Sequence, residues 1–332
     1  MTRRFGAAIL GCAGTRLTSE EKRFFSEFYP AGFILFSRNL EDADDIRALC
    51  SDMRDAVGWH APIFIDQEGG RVQRMRAPLA REWLPPLDDV ARFGDHAAEA
   101  MALRYKIISA ELLALGIDGN CSPALDVARP QTHAVLRNRL LGDQPDKVAE
   151  IGLAVAQAHL DSGVLPVIKH IPGHGLGTLD SHLELPRVSA PRDVLDSIDF
   201  KAFEPFGHMP LGMSAHLVFE AIDPDNPATI SPAMIDLIRN QIGFGGFLMT
   251  DDISMEALSG TVEERGAAAL AAGCDAVLHC NGKMHEMQPL MERIGSLSEP
   301  AQRRMQAALD MRKTPAPIDI AALESDLEAL LP

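Results

Sequence analysis

The chain of 332 residues is poor in aromatic rings and in positive charge, and each shortage argues against a class of binding site. Only two tryptophans and two tyrosines are present, so a long cleft lined with aromatic platforms is not expected. Lysine and arginine number 31 against 47 aspartates and glutamates, which gives a formal net charge of −16. Because nucleic acids bind to basic surfaces, we expect no nucleic-acid partner.

Long apolar runs and paired cysteines are lacking as well. No run reaches the ~18 apolar residues of a membrane span, so we expect no membrane association. The five cysteines are widely spaced without a CxxC pair, which favours buried, reduced thiols in a cytoplasmic protein. The first twelve residues have two arginines and a short apolar run ending in Leu-Gly-Cys, as lipoprotein signals do. The same residues also predict a buried first strand, which we favour.

The chain does contain a regular alternation of short apolar segments with amphipathic helices. Eight segments have the length of strands: 5–14, 32–37, 62–66, 116–123, 163–170, 211–216, 246–251 and 274–281. Helical spacing of apolar residues occurs in 44–57, 99–116, 146–163 and 231–243. Strands that are apolar on both faces and alternate with helices indicate a parallel sheet. Eight units predict an α/β fold, a (β/α)8 barrel, with an open doubly wound sheet as the alternative.

The barrel prediction sets the expected domain organisation. A (β/α)8 barrel can occupy this length as one unit, so we expect a single domain over residues 1–332. A proline-containing stretch ends the barrel pattern, and a helical tail is predicted from about residue 314.

Polar residues follow six of the eight predicted strands. They are Asp66, Asn120, Asp126, Lys169, His170, His216, Asp251, Asp252, His279 and Asn281. Because the carboxyl ends of barrel strands meet at one face, where barrel enzymes carry their active sites, these residues predict one polar pocket.

Three hypotheses compete for the segment KHIPGHGLGTLDSH, residues 169–182. A metal site could use His170 and His174, which are four residues apart, joined by His182, His216 and Asp251. However, Pro172 and the nearby glycines exclude the regular helix on which histidines four apart share a face. A phosphate site would use glycines at 69–70 and 173–177, but neither stretch matches a phosphate-loop pattern.

A sugar is the third hypothesis. Charged side chains that donate and accept hydrogen bonds suit sugar hydroxyls, and the strand ends provide Asp66, Arg74, Lys169 and His170. Glycosidic cleavage also needs a carboxylate at the reacting carbon and a general acid. Asp251 can be the carboxylate. Asp180 and His182, two residues apart, can form a carboxylate–imidazole pair that donates a proton near neutral pH.

With these residues in this order, the chain resembles the glycoside hydrolase family 3 β-N-acetylhexosaminidases, in particular the short bacterial members that act on peptidoglycan fragments. The resemblance covers nearly the whole chain and is carried by the motifs GFILFSRN, IDQEGGRVQRM, NCSPALDV, NRLLGDQP, KHIPGHG…DSH, MSAH, TDDISMEAL and AGCDAVLHCN. It implies a retaining exo-enzyme with Asp251 as nucleophile and His182 as acid/base, oriented by Asp180. It further implies that five residues hold the terminal N-acetylglucosamine: Asp66, Arg74, Arg139, Lys169 and His170.

The resemblance implies neither a cofactor nor a metal, and we expect a monomer that acts on N-acetylglucosamine-terminated muropeptides. One pair departs from the family pattern. Family members commonly have Asp-Thr after PGHG, where this chain has Leu176-Gly177. Two alternatives therefore stay open: a relative that prefers another β-glycoside, and a catalytically impaired sugar-binding protein.

Several neighbours of the site residues are expected to have supporting roles. His174 is expected to shape the loop through a hydrogen bond to the backbone, and His216 to line the pocket or lie buried. Glu68 and Asp252 are expected to lie behind the groups that contact the sugar. Since neighbouring residues of a strand point to opposite faces, Asp251 and Asp252 should not both face the barrel axis.

Overall fold

A computed structural model describes residues 4–179, 185–314 and 317–331. Within these ranges eight parallel strands form a closed barrel: β1 Gly6–Leu10, β2 Pro30–Leu35, β3 Ile63–Ile65, β4 Gly119–Asn120, β5 Leu165–Ile171, β6 Leu211–Ser214, β7 Phe247–Asp252 and β8 Ala276–His279. Each strand pairs with its neighbours in the chain, and β8 closes the barrel against β1. The predicted (β/α)8 barrel is confirmed, and the open doubly wound sheet is excluded.

The strands are buried on both faces, which explains their continuous apolar sequence. Along β5, Leu165 and Val167 belong to the cluster that fills the barrel, whereas Ile168 belongs to the layer between strands and helices. Residues two apart share a face in every strand, so two apolar layers form from one run of sequence.

Helices surround the barrel and connect successive strands. The α-helices within the described ranges are α1 Ser19–Phe28, α2 Ala43–Val57, α3 Pro86–Phe93, α4 Ala97–Ala114, α5 Ala134–Arg137, α6 Pro145–Asp161, α7 Arg192–Val194, α8 Pro232–Asp236, α9 Val262–Ala272, α10 Met284–Ile294, α11 Glu299–Asp310 and α12 Ile320–Ala329. Ser231 caps α8, since its side chain accepts from the backbone N–H of Met234 at 3.2 Å.

Six predicted strands are longer than the observed ones, and the first and the fourth differ most. Residues 5–14 give a strand only over Gly6–Leu10, and residues 116–123 only over Gly119–Asn120. The apolar run continues past β1 because Gly11 and Cys12 remain buried where the strand leads into a turn. Its carbonyls at Cys12 and Gly14 accept from the side chain of Asn39 instead of from a neighbouring strand.

The two ends of the barrel differ in chemistry. The amino ends of the strands are closed by stacked rings of Phe5 and Trp59, 4.3 Å between centroids, and by α11, which buries Met305 there. The carboxyl ends lead into polar loops. The tail helix α12 packs against α4 and is tied to the barrel by an ion pair between Arg81 and Glu324.

Two further observations concern the chain as a whole. All five cysteines are buried free thiols. In the described ranges, every helix is either too short or too polar to cross a membrane.

Candidate active site

A cavity of about 360 Å³ lies at the carboxyl ends of the strands. Six residues singled out in the sequence line it together: Asp66, Arg74, Arg139, Lys169, His170 and Asp251. They come from the ends of β3, β5 and β7, from the hairpin after β3 and from the loop after α5. The fold therefore joins at one place residues that lie up to 185 positions apart in the chain.

Four of these lining residues form a network of ion pairs with Glu68, which lies behind them. We name this network the charged wall: Asp66, Glu68, Arg74, Arg139 and Lys169. Lys169 Nζ lies 2.9 Å from Asp66 Oδ1 and 2.6 Å from Glu68 Oε1. Arg74 donates to Asp66 Oδ2 at 2.8 Å, and Arg139 donates to both oxygens of Glu68 at 2.9 and 2.7 Å. Every member thus has an oppositely charged partner.

Burial and pairing act in opposite directions on the wall. Burial alone would raise the pKa of Glu68, but the charges of Arg139 and Lys169 outweigh it and lower that pKa to about 2. The pKa of Asp66 is likewise held well below its usual range by Lys169 and Arg74, against the effect of burial. Both carboxylates are therefore ionised and can only accept hydrogen bonds.

The hairpin after β3 places two members of the wall. Its strands are Gln67–Gly69 and Val72–Gln73. The side chain of Gln67 donates to the carbonyl of Met75 at 2.9 Å, which fixes the residues that follow the second strand. The carbonyl of Glu68 accepts from the hydroxyl of Tyr105 on α4 at 3.1 Å. Glu68 has only 1% exposure and is not part of the cavity lining, which agrees with the supporting role expected for it.

A second group, which we name the loop base, consists of Asp126, His170, His174 and Gly177. Asp126 is fully buried and accepts from the backbone N–H groups of His170 at 3.2 Å and His174 at 2.6 Å. Its other oxygen lies 2.8 Å from His170 Nδ1. Since a carboxylate only accepts, Nδ1 carries a hydrogen and, in the neutral ring, Nε2 is left as an acceptor. That Nε2 lies 4.0 Å from Asp251 Oδ2.

His174 differs from the expectation. Its ring is buried, and neither ring nitrogen has a hydrogen-bond partner among the described residues, so the predicted ring-to-backbone bond is wrong. Burial and the neighbouring His170 lower the pKa of His174 to about 4. The hydrogen bond that shapes the turn runs from the backbone N–H of His174 to Asp126. The ring therefore contributes only through its size.

Gly177 now has a physical explanation. A Cβ placed there would lie 2.6 Å from Nδ1 and 2.7 Å from Cε1 of His174. The ring of His174 therefore occupies the space that a side chain at 177 would need. Leu176, the other half of the departure, packs against the outer apolar layer. The pair is thus compatible with a closely packed turn.

Asp251 and Asp252 are neighbours in β7 and both line the cavity, and which of them faces the barrel axis stays a prediction. They nevertheless differ in their partners. The carboxylate of Asp252 accepts from the hydroxyl of Ser254 at 2.8 Å and from the backbone N–H of Cys280 at 3.2 Å. The carboxylate of Asp252 therefore binds groups of the turn that follows β7, because the strand ends at this residue.

The remaining polar residues at strand ends do not line the cavity. They are Asn120, Asp126, His216, His279 and Asn281. Asn120 binds the backbone of Gln67, and His216 lies between the hydroxyl of Thr229 and the carbonyl of Asp252. His279 and Asn281 both contact Glu286. Each of these side chains has a local partner, although Nδ1 of His279 has none among the described residues. The predicted polar residues that line the cavity therefore come from three of the six strand ends, those of β3, β5 and β7.

Two predictions lie outside the described ranges. They are the acid/base His182 and its partner Asp180. For the metal hypothesis, the described residues contain no group of three or more His, Cys, Asp or Glu side chains that could hold an ion.

The cavity also has residues that the sequence did not single out. Phe36, at the end of β2, carries the guanidinium of Arg74 at 5.2 Å over its ring, and Met213 and Met255 add apolar surface. Arg71 projects from the hairpin. The position of Phe36 directly after a predicted strand could have indicated a place in the cavity, but an aromatic residue at such a position can equally belong to the core.

Comparisons with known proteins agree with this geometry. The family described as "Glycosyl hydrolase family 3 N terminal domain" matches residues 8–311. A β-hexosaminidase of Alkalilimnicola ehrlichii is 37% identical over 285 residues, 83% of this chain and 81% of that protein.

Solved structures agree as well. A glycoside hydrolase family 3 β-N-acetylglucosaminidase from Paenibacillus superposes with a TM-score of 0.87 at 26% identity, covering 98% of this chain and 67% of that one. NagZ from Neisseria gonorrhoeae in complex with N-trifluoroacetyl-D-glucosamine has a TM-score of 0.80 at 29% identity, with 98% of each chain covered. The chain therefore belongs to glycosyl hydrolase family 3, as a glycoside hydrolase of the β-N-acetylhexosaminidase type.

Proposed function

We propose that the protein is a retaining exo-β-N-acetylglucosaminidase that removes terminal, non-reducing N-acetylglucosamine from peptidoglycan turnover fragments. The observation that carries this proposal is that Asp251 shares one small cavity with the charged wall. The names of the Paenibacillus and Neisseria structures, with an N-acylated glucosamine bound in the second, support the same sugar.

The reaction proceeds in two steps with Asp251 as nucleophile. Its carboxylate attacks the anomeric carbon while the bond to the leaving oxygen breaks, and that oxygen takes a proton from His182. A glycosyl ester on Asp251 results. Water then gives a proton back to His182 and attacks the same carbon, which releases the sugar and the carboxylate. Asp180 orients His182, and these steps require no cofactor.

The charged wall binds the terminal sugar. The ionised Asp66 accepts from sugar hydroxyls, while the ammonium of Lys169 and the guanidinium groups of Arg74 and Arg139 donate to them. His170 Nε2 accepts a further hydroxyl close to Asp251. Because the ion pairs already hold these groups in place, little reorganisation is needed when the sugar binds.

The size of the cavity supports action on a chain end. About 360 Å³ is near the lower limit of the roughly 300–1,000 Å³ common for ligand pockets. Together with the scarcity of aromatic residues, this favours one terminal sugar over an extended chain. We further propose a cytoplasmic monomer, with residues 1–332 as a single domain and a helical tail from about residue 314.

Hydrolysis of an aryl β-N-acetylglucosaminide tests the nucleophile. Asp251→Ala should lower kcat/KM by on the order of 10⁴-fold. The matched change Asp252→Asn should cost less than about tenfold, because Ser254 and the Cys280 N–H occupy that carboxylate. A 2-fluoro or 5-fluoro glycoside should leave a covalent sugar on wild type, detected by peptide mass at Asp251. Equal activity of wild type and Asp251→Ala would overturn the assignment.

The acid/base is tested by the leaving group. His182→Ala should lose far less activity on an aryl glycoside with a good leaving group than on a natural disaccharide, because the former needs little protonation. Equal wild-type rates on the corresponding β-glucoside would contradict the acetamido preference. Calorimetric binding without turnover would instead favour the sugar-binding alternative.

A further inference from the structure

Arg71 is unlike the other cations of the cavity. Four cationic side chains line it in the described part of the chain, and three belong to the charged wall, where Asp66 and Glu68 hold them. Arg71 is exposed, and its guanidinium makes no ion pair or hydrogen bond with any described residue. In a chain with a net charge of −16, an unpaired cation at the substrate cavity calls for an explanation.

The backbone that carries Arg71 is firmly held. Arg71 follows Gly70 at the turn of the hairpin, and the Gly70 N–H donates to the carbonyl of Trp83 at 2.9 Å. The Gly70 carbonyl accepts from Arg76 Nη2 at 2.8 Å. A Cβ on Gly70 would lie 2.8 Å from Pro85 Cα, and its φ of +57° suits glycine. The turn therefore rests directly on the neighbouring segment and holds the backbone beside Arg71, while the side chain of Arg71 is exposed.

The chemistry of the free group indicates an anion. A guanidinium presents a planar set of donors that matches a carboxylate in two parallel hydrogen bonds. The terminal N-acetylglucosamine is neutral, and the cations of the charged wall already have carboxylate partners. An anion that meets Arg71 must therefore belong to the part of the substrate beyond that sugar.

We propose that Arg71 is a specificity residue that binds a carboxylate of the aglycone, the group released from the terminal sugar. This inference rests on the proposed function. In muropeptide fragments such a carboxylate comes either from the lactyl ether of the second sugar or from the attached peptide. Arg71 thus selects acidic fragments over neutral disaccharides of the same length.

Three matched substrates test this. They share N-acetylglucosamine linked β-1,4 to a lactyl-bearing sugar and differ in the lactyl group: the free acid, its methyl ester, and its amide with a short peptide that carries its own carboxylates. We would measure kcat/KM for wild type, Arg71→Gln and Arg71→Lys at low and high salt. Arg303→Gln is the control, since it removes an equally exposed arginine from α11 at the other end of the barrel.

Wild type should prefer the free acid or the peptide amide over the ester by about threefold to tenfold, and salt should weaken that preference. Arg71→Gln should abolish the preference, Arg71→Lys should restore part of it, and Arg303→Gln should keep all of it. Which acidic substrate responds to Arg71→Gln identifies the lactyl or the peptide carboxylate. The same ratio in wild type and Arg71→Gln would overturn the role of Arg71 while leaving the proposed function intact. A wild type that cleaves none of the three would contradict the proposed function itself.

Discussion

The charged wall and the loop base lie side by side at the cavity and are held by different forces. In the wall, Lys169 and Glu68 are each 1% exposed, yet every charge has a partner within 3 Å. In the loop base, the ring of His174 is also buried, at 6% exposure, but has no hydrogen-bond partner among the described residues. Its position depends on backbone N–H bonds from His170 and His174 to Asp126 and on close packing against Gly177.

This difference separates two ways to order an active site. The wall is ordered by electrostatics, so removing one partner leaves another charge buried and costs much stability. The loop base is ordered by shape, so replacing its unpartnered imidazole by an apolar group of similar size costs little. Substitutions in the charged wall should therefore cost much stability, whereas the effect of a substitution in the loop base should depend on the size of the new side chain.

The largest expected effect comes from breaking the wall. Glu68→Gln keeps the shape but removes the charge that Arg139 and Lys169 share, and we expect a loss of about 3–5 kcal/mol in the free energy of unfolding. Urea denaturation measures it. Glu82→Gln is the matched control, because Glu82 pairs with Arg76 at 51% exposure and should cost less than about 1 kcal/mol. Equal losses in the two variants would show that the wall is no more stabilising than a surface pair.

A pair of buried histidines sharpens the comparison. His159 has both ring nitrogens satisfied, by Ser109 Oγ at 2.8 Å and Asn120 Nδ2 at 3.2 Å, whereas neither ring nitrogen of His174 has a partner in the described ranges. His159→Leu removes one buried hydrogen bond each from Ser109 and Asn120, which keep the carbonyls of Tyr105 and Gln67 as partners, and it should cost about 1–3 kcal/mol of unfolding free energy. His174→Leu should change it by less than about 1 kcal/mol. A larger loss for His174→Leu would mean that its ring nitrogens have partners after all.

The two regions should also lose stability in different ranges of pH. The pKa of His174 is lowered from 6.5 to about 4, so the unfolded chain binds its proton first and stability falls as pH drops from about 6.5 to 4. The pKa of Glu68 is lowered from 4.5 to about 2, so its contribution is present above pH 4.5 and is lost as pH falls toward 2.

Comparison of wild type with His174→Leu isolates the first range. The unfolding free energy of wild type should fall by up to about 3 kcal/mol more than that of the variant between pH 6.5 and 4. His159, with its pKa lowered by burial to about 3, titrates similarly in both proteins and cancels in the difference. Parallel pH curves for the two proteins would contradict the lowered pKa.

The sequence was sufficient for the barrel because each strand carries its own apolar signal. It was also sufficient to predict that Asp66, Lys169 and Asp251 lie in one pocket, because the carboxyl ends of parallel barrel strands converge. It could not separate these residues from Asn120 or His216, which also follow strands but bind neighbouring groups. That distinction depends on the partners that each side chain reaches in three dimensions.

The same limit applies to Arg71 and Gly177. Nothing in the order of residues shows that Arg74 has a carboxylate partner and that Arg71, three positions away, has none within the described part of the chain. Likewise, Leu176-Gly177 is only a departure from a pattern until the ring of His174 is seen against it. Both properties arise from packing between segments, which a local pattern does not encode.

The smallest expected effect concerns this packing. Gly177→Ala places a Cβ 2.6 Å from His174 Nδ1 and should cost about 1–3 kcal/mol in the free energy of unfolding, since the ring must move. The control Gly14→Ala should be neutral, because nothing lies within 4 Å of its added Cβ. Urea denaturation of both variants gives the first comparison.

A double-mutant cycle decides whether the clash is with His174. If the ring is the obstacle, Gly177→Ala should cost about 1 kcal/mol less in a His174→Ala background, because the smaller side chain leaves room for the new methyl group. Additive losses would place the obstacle elsewhere in the turn. The kinetic counterpart follows from the sequence, in which Gly177 precedes Asp180 by three positions and His182 by five. In Gly177→Ala, a displaced turn should lower kcat more for poor leaving groups than for good ones, because protonation of the leaving group depends on the position of the proposed acid/base His182. The His174→Ala background should reduce this difference as well.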